Sequence, residues 1–342
     1  MRRMIALLLC AVSFAGVMSL YGCGGSHTTA EHETAAAAPT EAHTAASVPA
    51  LYQISPDSST LMMCYVIKTK SDKLIVIDGG GVATRDQNQG YLYAKLQEIS
   101  GRKVPEVEAW FLSHLHDDHV TEFALLALDP EKEIKINNVY FNFPSREFME
   151  RTENGKFAYL YDDIKNAYDR LFGEGSFAAV QGKSVKQGDT MNIDGVEIEI
   201  LLTVQDSEAE TNINDTSLIF RATIEGQKVL FLGDAAVSEG NRLLSVHGRD
   251  HLESDIVQMA HHGQGGVSRL IYRAIKPTLC LWPSPDWVYD NWNGNLQTFE
   301  VREWMADLKV QYHFVTGLSG TQVLTFPVDF SALQPLDIMP AK

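Results

Sequence analysis

The run His114-Leu115-His116-Asp117-Asp118-His119 follows directly on the apolar segment Val107-Glu108-Ala109-Trp110-Phe111-Leu112. The apolar segment predicts a buried strand that ends at Ser113. We therefore expect the histidines and aspartates to lie in a loop at the edge of a sheet, where their side chains can converge on one point. The alternative is a solvated loop with scattered histidines.

Imidazole and carboxylate groups at this spacing indicate a metal site, since both are preferred ligands of zinc-like ions. His114 and His116 are expected to flank one metal. Asp118 and His119 are expected to turn toward a second metal beside it.

Two further polar motifs follow apolar runs later in the chain. Asp234 comes directly after Val229-Leu230-Phe231-Leu232-Gly233, and His261-His262-Gly263 follows Ile256-Val257-Gln258-Met259-Ala260. An aspartate at a strand end is a weak signal by itself, and a lone histidine is often only structural. Because two adjacent histidines point in different directions, we expect one to bind metal and the other to orient a ligand or contact the substrate.

Strand-like runs alternate with helical patterns through most of the chain. Of its 342 residues, 45% are hydrophobic and 21% are charged, which suits one large domain or two fused half-domains. The expected fold is α/β, with two sheets covered by helices in an αββα sandwich. The predicted strands are 74–77, 107–112, 134–143, 217–222, 229–234, 255–259 and 278–282, with a hairpin at 188–200; the predicted helices are 91–99, 157–171, 238–246, 267–275 and 298–308.

The order of these motifs resembles that of the metallo-β-lactamase superfamily. Residues 74–80, the run at 114–119, Gly233-Asp234 and His261-His262-Gly263 occur in the superfamily's order, and the likeness spans about residues 61 to 323. It is strongest to the branch that contains the metallo-hydrolase domain of the bacterial competence DNA-uptake channel. The segment Asn212-Ile213-Asn214-Asp215-Thr216-Ser217-Leu218 also resembles that branch. The resemblance implies a metallo-β-lactamase-type αββα sandwich.

The resemblance also implies a role for each metal-binding residue. The implied roles are His114 and His116 on a first metal, Asp118 and His119 on a second, Asp234 as a bridge, and His261 or His262, with a slight preference for His262, completing the second site. The implied cofactor is zinc, at about two ions per chain, with manganese as an alternative.

Two departures from the superfamily's pattern concern the first metal and the rim of the site. Residues 120–233 contain no histidine, although many relatives supply one there. The first metal is therefore expected to bind His114, His116 and Asp234, completed by water, Asn214 or Asp215. The segment Val120-Thr121-Glu122-Phe123 replaces the Gly-Gly of many relatives, which places Glu122 at the rim.

The expected reaction is hydrolysis by metal-bound hydroxide. A bound metal lowers the pKa of water from about 15.7 toward about 7. Asp118 is predicted to be the catalytic residue, as both ligand and proton acceptor, while Asp78 and Asp117 are candidates to orient the histidines. The leading substrate is a phosphodiester or related phosphoester; the alternatives are a lactone, lactam or thioester hydrolase of the same fold, and a lipid-anchored binding protein with a degenerate metal site.

The charge of the chain limits its partners. A formal net charge of -16 argues against nucleic acid, which attracts basic surfaces. A small-molecule or cell-envelope substrate is expected instead, and the sequence indicates no protein partner. The aromatic segment 282–293 is a candidate for a lid that contacts substrate, or simply a packed surface loop.

The N-terminal residues predict export. Residues 1–22 have the charged start and apolar stretch of a signal peptide, and Leu20-Tyr21-Gly22-Cys23 resembles a lipobox, so Cys23 is expected to carry lipid. The alternatives are a transmembrane anchor and a soluble secreted or periplasmic form. Residues 23–50 are expected to form a flexible tether and residues 51–342 the hydrolase domain. Cys64 and Cys280 are expected to be buried free thiols, with a disulfide as the alternative.

Overall fold

Two sheets face each other at the centre of the structure. The structure is a computed structural model that describes residues 47–58, 60–81, 90–207, 209 and 212–339. The first sheet has the order β14-β1-β2-β3-β4-β5, and β6 also pairs with β4. Its strands are β1 (Ala50–Gln53), β2 (Cys64–Lys68), β3 (Leu74–Asp78), β4 (Glu106–Phe111), β5 (Lys135–Ile136), β6 (Val139–Tyr140) and β14 (Gln322–Thr325).

The second sheet has the order β13-β12-β11-β10-β9-β8-β7. Its strands are β7 (Thr190–Ile193), β8 (Val196–Leu202), β9 (Ile219–Ile224), β10 (Gln227–Phe231), β11 (Ile256–Gln258), β12 (Leu279–Trp282) and β13 (Tyr312–Val315). Strands β10 to β13 run parallel, whereas β7 to β10 pair antiparallel.

Helices flank the two sheets. They are α1 (Tyr91–Ser100), α2 (Asp117–Leu128), α3 (Arg146–Arg151), α4 (Ala158–Phe172), α5 (Ser176–Ala179), α6 (Val237–His251), α7 (Arg269–Ile275), α8 (Asp286–Tyr289), α9 (Thr298–Asp307) and α10 (Thr316–Ser319), with 3₁₀ turns at Thr152–Gly155, Ile213–Thr216, Ala260–Gly263 and Phe330–Ala332. None of the helices in these described ranges has the length and hydrophobicity needed to span a bilayer.

Alternation along the central strands divides the core into layers. Trp110 of β4 points away from the second sheet and meets Phe123 of α2, with ring centroids 5.1 Å apart. Its neighbour Phe111 points inward and stacks on Phe220 of β9 at 4.8 Å. Successive residues of a strand point to opposite faces, so one buried strand can serve both the helix-facing and the sheet-facing core. The arrangement is the αββα sandwich expected from the sequence.

Most predicted elements occur, with shifts of one to a few residues at their ends. The predicted strand at 134–143 is instead the two short strands β5 and β6, which pair with different parts of β4. Cys64 and Cys280 are free and buried, as expected. Ser47, the first described residue, donates its backbone N–H to the carbonyl oxygen of Lys70. The proposed signal peptide, Cys23 and most of the proposed tether lie outside the described residues.

Candidate metal centre

Four loops bring polar side chains together at the carboxyl ends of buried strands. Asp78 ends β3 and the histidine run follows β4, which is parallel to β3 in the first sheet. Asp234 follows β10, and the two adjacent histidines follow β11, which is parallel to β10 in the second sheet. The carboxyl ends of parallel strands meet at the same edge of a sheet, so all four loops face one region between the sheets.

The first motif is divided between a loop and a helix, which corrects the expectation that the whole run is a loop. His116 is extended and precedes α2, and Asp117 and Asp118 occupy the first turn of that helix. Acidic side chains are favourable there because the N–H groups of a first turn carry partial positive charge. The helical start turns Asp118 and His119 away from His114 and His116, which separates the donors into two groups.

The first group consists of His114, His116 and Asp234, with one donor atom of each within 4.8 Å of the others. His114 Nε2 lies 3.1 Å from His116 Nδ1 and 4.0 Å from Asp234 Oδ2. His114 and Asp234 are buried, whereas His116 is partly exposed.

The second group consists of Asp118, His119 and His262, whose donor atoms also lie within 4.8 Å of one another. His262 Nε2 is 3.0 Å from Asp118 Oδ2, and His119 Nε2 is 3.9 Å from Asp118 Oδ1. All three residues are buried. The structure thus brings His262, the histidine favoured from the sequence, to Asp118 and His119.

Asp234 contacts both groups. Its Oδ1 lies 3.2 Å from His119 Nε2, and its Oδ2 lies 3.7 Å from His262 Nε2 as well as 4.0 Å from His114 Nε2. A carboxylate that lies between two donor sets and contacts both could bridge two ions.

His261 lies beside Asp234 at the open side of the centre. Its Nε2 is 3.9 Å from Asp234 Oδ2 and 3.4 Å from Asn214 Nδ2, and its side chain is 31% exposed. His261 and His262 both have positive φ angles, 49° and 54°, and this turn makes the two rings diverge. Asn214 therefore lies beside His261, and its role as a ligand of the first metal stays a prediction. Asp215 belongs to neither group; its side chain hydrogen-bonds to Glu239.

The nitrogen that each histidine turns away from the centre has its own partner. His119 Nδ1 donates to Asp78 Oδ2 at 2.9 Å, and His262 Nδ1 donates to the carbonyl oxygen of Pro283 at 2.7 Å. His114 Nδ1 lies 3.0 Å from Ser113 Oγ, which itself donates to Asp78 at 2.7 Å. These bonds leave Nε2 of the three rings facing the centre, which is how metal-binding histidines are usually fixed.

Asp78 is thus connected to one histidine of each group, directly or through Ser113. It is fully buried and also accepts the backbone N–H of Ser113 at 2.7 Å. Asp117, the other candidate for this role, instead accepts the backbone N–H of Asp118.

The donor set fits a metal pair. Within the described part of the chain, four buried polar atoms at the centre have no hydrogen-bond partner, although potential metal-ligand atoms lie near them. They are His119 Nε2, His262 Nε2, Asp234 Oδ1 and Asn214 Oδ1. Buried polar atoms are costly when unsatisfied, and bound cations would satisfy them. The two His/Asp groups are those of a dinuclear metal centre.

Electrostatics keep the aspartates ionised. Burial opposes ionisation of Asp118 and Asp234, yet His119 and His262 lower the pKa of both carboxyls below the ordinary range. Burial likewise acts to lower the pKa of His119, but Asp234, Asp118 and Asp78 raise it well above the ordinary value. Buried carboxylates so close together call for positive charge, which a divalent cation supplies.

A family model for the metallo-beta-lactamase superfamily matches residues 63–276, more than half of the chain. The chain belongs to the metallo-beta-lactamase superfamily. Membership in this superfamily and the two His/Asp groups both indicate a metal-binding protein. The comparisons do not single out the competence-channel branch, which stays a prediction from the order of the motifs.

Several solved structures resemble parts of this chain at low sequence identity. CmlA, a diiron beta-hydroxylase from Streptomyces venezuelae, is 13% identical with a TM-score of 0.49, and the match covers 82% of this chain and 54% of CmlA. YhfI, a metallo-beta-lactamase fold protein from Bacillus subtilis, is 13% identical with a TM-score of 0.42, covering 80% of this chain and 99% of YhfI. A diphosphatase from the PhnP family is 11% identical with a TM-score of 0.41, covering 82% and 98%.

The chain spans about half the length of the beta-hydroxylase structures that it matches. None of the curated proteins compared with it gives a significant match.

One residue and one segment of this superfamily member differ from the sequence expectations for the surroundings of the site. Glu122 is fully buried in α2 instead of lining the rim, and its backbone N–H donates to Gly79. The aromatic segment is partly core: the buried rings of Trp282 and Tyr289 pack edge to face, whereas Trp292 is exposed. The exposed part of a substrate-contacting lid is therefore smaller than the sequence suggested.

Glu153 is a contact of the centre that the sequence analysis missed. It lies in the turn between α3 and α4, with Oε1 3.3 Å from His116 Nε2. The Asn154-Gly155 pair marks a turn in the sequence, but nothing in its pattern relates that turn to a histidine nearly forty residues earlier.

Proposed function

We propose that this chain is an exported hydrolase of phosphodiesters or related phosphoesters that uses two metal ions. The position of Asp234 between the two His/Asp groups carries the proposal. Because Asp234 contacts both groups, two ions bound there would lie side by side. When bound, a metal pair of this kind lowers the pKa of water and neutralises charge on a phosphoryl oxygen. Such a pair suits in-line displacement at phosphorus.

The chain's own residues hold the pair and handle the proton. His114 and His116 bind on one side of Asp234, and Asp118, His119 and His262 on the other. Asp118 is the proposed proton acceptor, since its carboxylate is kept ionised within the second group, where Oδ2 lies 3.0 Å from His262 Nε2.

His261 is the proposed contact for substrate. It is adjacent to the second group, yet its ring is partly exposed beside Asp234. Burial lowers its pKa, which favours the neutral imidazole. A neutral ring at this place can hydrogen-bond to a phosphoryl oxygen or to the leaving group.

Zinc is the proposed metal, with manganese as the alternative. The donors are imidazole nitrogens and carboxylate oxygens, and among the described residues neither group includes a cysteine. Imidazole suits zinc, and manganese accepts more oxygen. Elemental analysis of protein purified without chelator identifies the ions present.

The substrate class is tested with one panel of chromogenic compounds. Zinc- and manganese-loaded protein is assayed on a phosphodiester, a phosphomonoester, a lactam and a lactone, with His116→Ala as the matched control. Turnover of the diester, lost in the control, supports the proposal. Turnover of the lactam or lactone alone would instead support a lactone, lactam or thioester hydrolase of the same fold. Full metal loading without any turnover would favour a binding protein.

The proposed location is the cell surface or membrane, with the domain anchored through lipid on Cys23. The supporting observation is the sequence of residues 1–23, an apolar stretch that ends at a cysteine. The proposed substrate is accordingly a small molecule or a component of the cell envelope. Nucleic acid is disfavoured by the net charge of -16, so a small diester should be cleaved faster than duplex DNA.

A further inference from the structure

His116 turns a different ring nitrogen toward the centre from the other histidines. Its Nδ1 lies 3.1 Å from His114 Nε2, inside the first group, and its Nε2 points away from it. A neutral imidazole carries its proton on one nitrogen and its free electron pair on the other. For Nδ1 to act as a ligand, Nε2 must hold the proton and needs an acceptor.

Glu153 is that acceptor. Its Oε1 lies 3.3 Å from His116 Nε2, within reach of the proton that this nitrogen would carry. A carboxylate on the outer nitrogen fixes the tautomer and orientation of a ligating imidazole. His119 and His262 have equivalent acceptors at Nδ1, the other ring nitrogen. These acceptors are Asp78 for His119 and the carbonyl oxygen of Pro283 for His262.

The backbone around Glu153 is shaped to present this carboxylate. Glu153 and Asn154 have φ angles of 49° and 57°, followed by Gly155 at 70°. Left-handed backbone is unfavourable for residues with a Cβ atom, and two in succession are uncommon. The turn reverses the chain between α3 and α4 and points the side chain of Glu153 inward.

The same oxygen also holds the loop on the other side of the first group. Oε1 accepts the backbone N–H of Ile213 at 3.2 Å. Ile213 begins the 3₁₀ turn Ile213–Thr216, which carries Asn214 to the side of His261. Phe157 adds a second restraint, with its ring centroid 4.6 Å from that of His116.

We propose that Glu153 is a positioning residue for the first metal-binding group, which holds His116 in the Nε2–H tautomer and joins it to the Ile213–Thr216 turn. This inference rests on the metal centre and not on the proposed substrate. Its test therefore measures metal binding.

The test compares Glu153→Ala with Glu153→Gln, whose amide oxygen still accepts both hydrogen bonds. Binding of two zinc ions is followed by competition with a chelator, and the binding step that His116→Ala removes identifies the first group. We expect Glu153→Ala to weaken that step roughly 10- to 100-fold and leave the other step unchanged, with Glu153→Gln close to the unsubstituted protein. Glu150→Ala, an exposed acidic substitution on α3, is the matched control.

Unchanged affinity of both ions in Glu153→Ala would overturn the proposal, as would equal losses in Glu153→Ala and Glu153→Gln. A second measurement does not depend on whether the variants fold. Nitrogen-15 chemical shifts of His116 in the zinc-loaded unsubstituted protein should report the Nε2–H tautomer, and the Nδ1–H tautomer would contradict the proposal. Absence of phosphodiester turnover, with these binding results intact, would count against the substrate class alone.

Discussion

Gly80 packs directly against the backbone of His119. A Cβ atom at Gly80 would overlap the backbone nitrogen of His119 and the carbonyl group of Asp117. The loop after β3 therefore packs against the first turn of α2. The absence of a side chain at Gly80 lets the two backbones come this close.

Replacing Gly80 with alanine should displace the start of α2 and destabilise the fold by about 1–3 kcal/mol, the usual cost of overpacking. Urea unfolding measures the loss, and zinc titration should report weaker binding at the second group. Gly90→Ala is the control, because a Cβ atom there meets nothing within 4 Å. Equal stability of the two variants would contradict the close contact.

Replacing Asp78 with asparagine should weaken both metal-binding steps, since Asp78 supports His119 directly and His114 through Ser113. An amide cannot accept from His119 and Ser113 in the same way, and loss of such a partner typically costs roughly 10- to 100-fold in affinity. Chelator competition measures the effect. Asp117→Asn should change affinity much less; a loss confined to one binding step would refute the shared role.

Asp118→Asn should lower kcat for an activated phosphodiester by at least about 100-fold, because it removes a ligand and the proposed proton acceptor. Circular dichroism should report an intact fold. Asp307→Asn, at an exposed ion pair with Arg269, serves as the control and should retain activity. Retention of most activity in Asp118→Asn would remove Asp118 from the mechanism.

Glu239 should make the fold less stable as the pH rises. Burial, the charge of Asp215 and their hydrogen bond raise the pKa of Glu239 from 4.5 to about 7. Between these two values the folded state holds a proton that the unfolded state releases, so stability falls as the pH rises through this window. Glu239→Gln cannot ionise, and its stability relative to the unsubstituted protein should increase from pH 5 to pH 8 by about 1–2 kcal/mol. Urea unfolding at both pH values measures this; an unchanged difference would contradict it.

Cys23 should be the first residue of the mature protein and should carry lipid. A single acyl chain holds weakly, so a stable anchor needs more than one. Intact mass of the protein from the membrane fraction tests this, with Cys23→Ala as the control expected to leave that fraction. A soluble exported form that begins at another residue would be evidence against the anchor.

The metal-binding motifs and the sandwich were predictable because both depend on local patterns. The strand before His114 reads as a continuous apolar run, and each later motif follows a similar run. Helix α2 was missed although Val120, Phe123, Ala124 and Ala127 have helical spacing, because the histidine run was interpreted as one loop.

Contacts between distant segments could not be predicted in this way. Glu153 meets His116 only because the left-handed turn at Glu153 and Asn154 points it inward, and a single sequence does not indicate that direction. Glu122 was assigned to the rim because its segment replaces the Gly-Gly that follows the first motif in many relatives. On α2 it lies three residues beyond His119, close to one helical turn, and its side chain is buried.

The six residues of the two groups come from both halves of the sandwich. His114, His116, Asp118 and His119 follow a strand of the first sheet, and Asp234 and His262 follow strands of the second. Ions bound among them would act as a cross-link, since the donors meet only when the sheets are docked. Binding energy then adds to the energy that keeps the halves together. The free energy of unfolding should therefore depend on the metal available where the chain folds. A chelator should lower the stability of the protein as well as its activity.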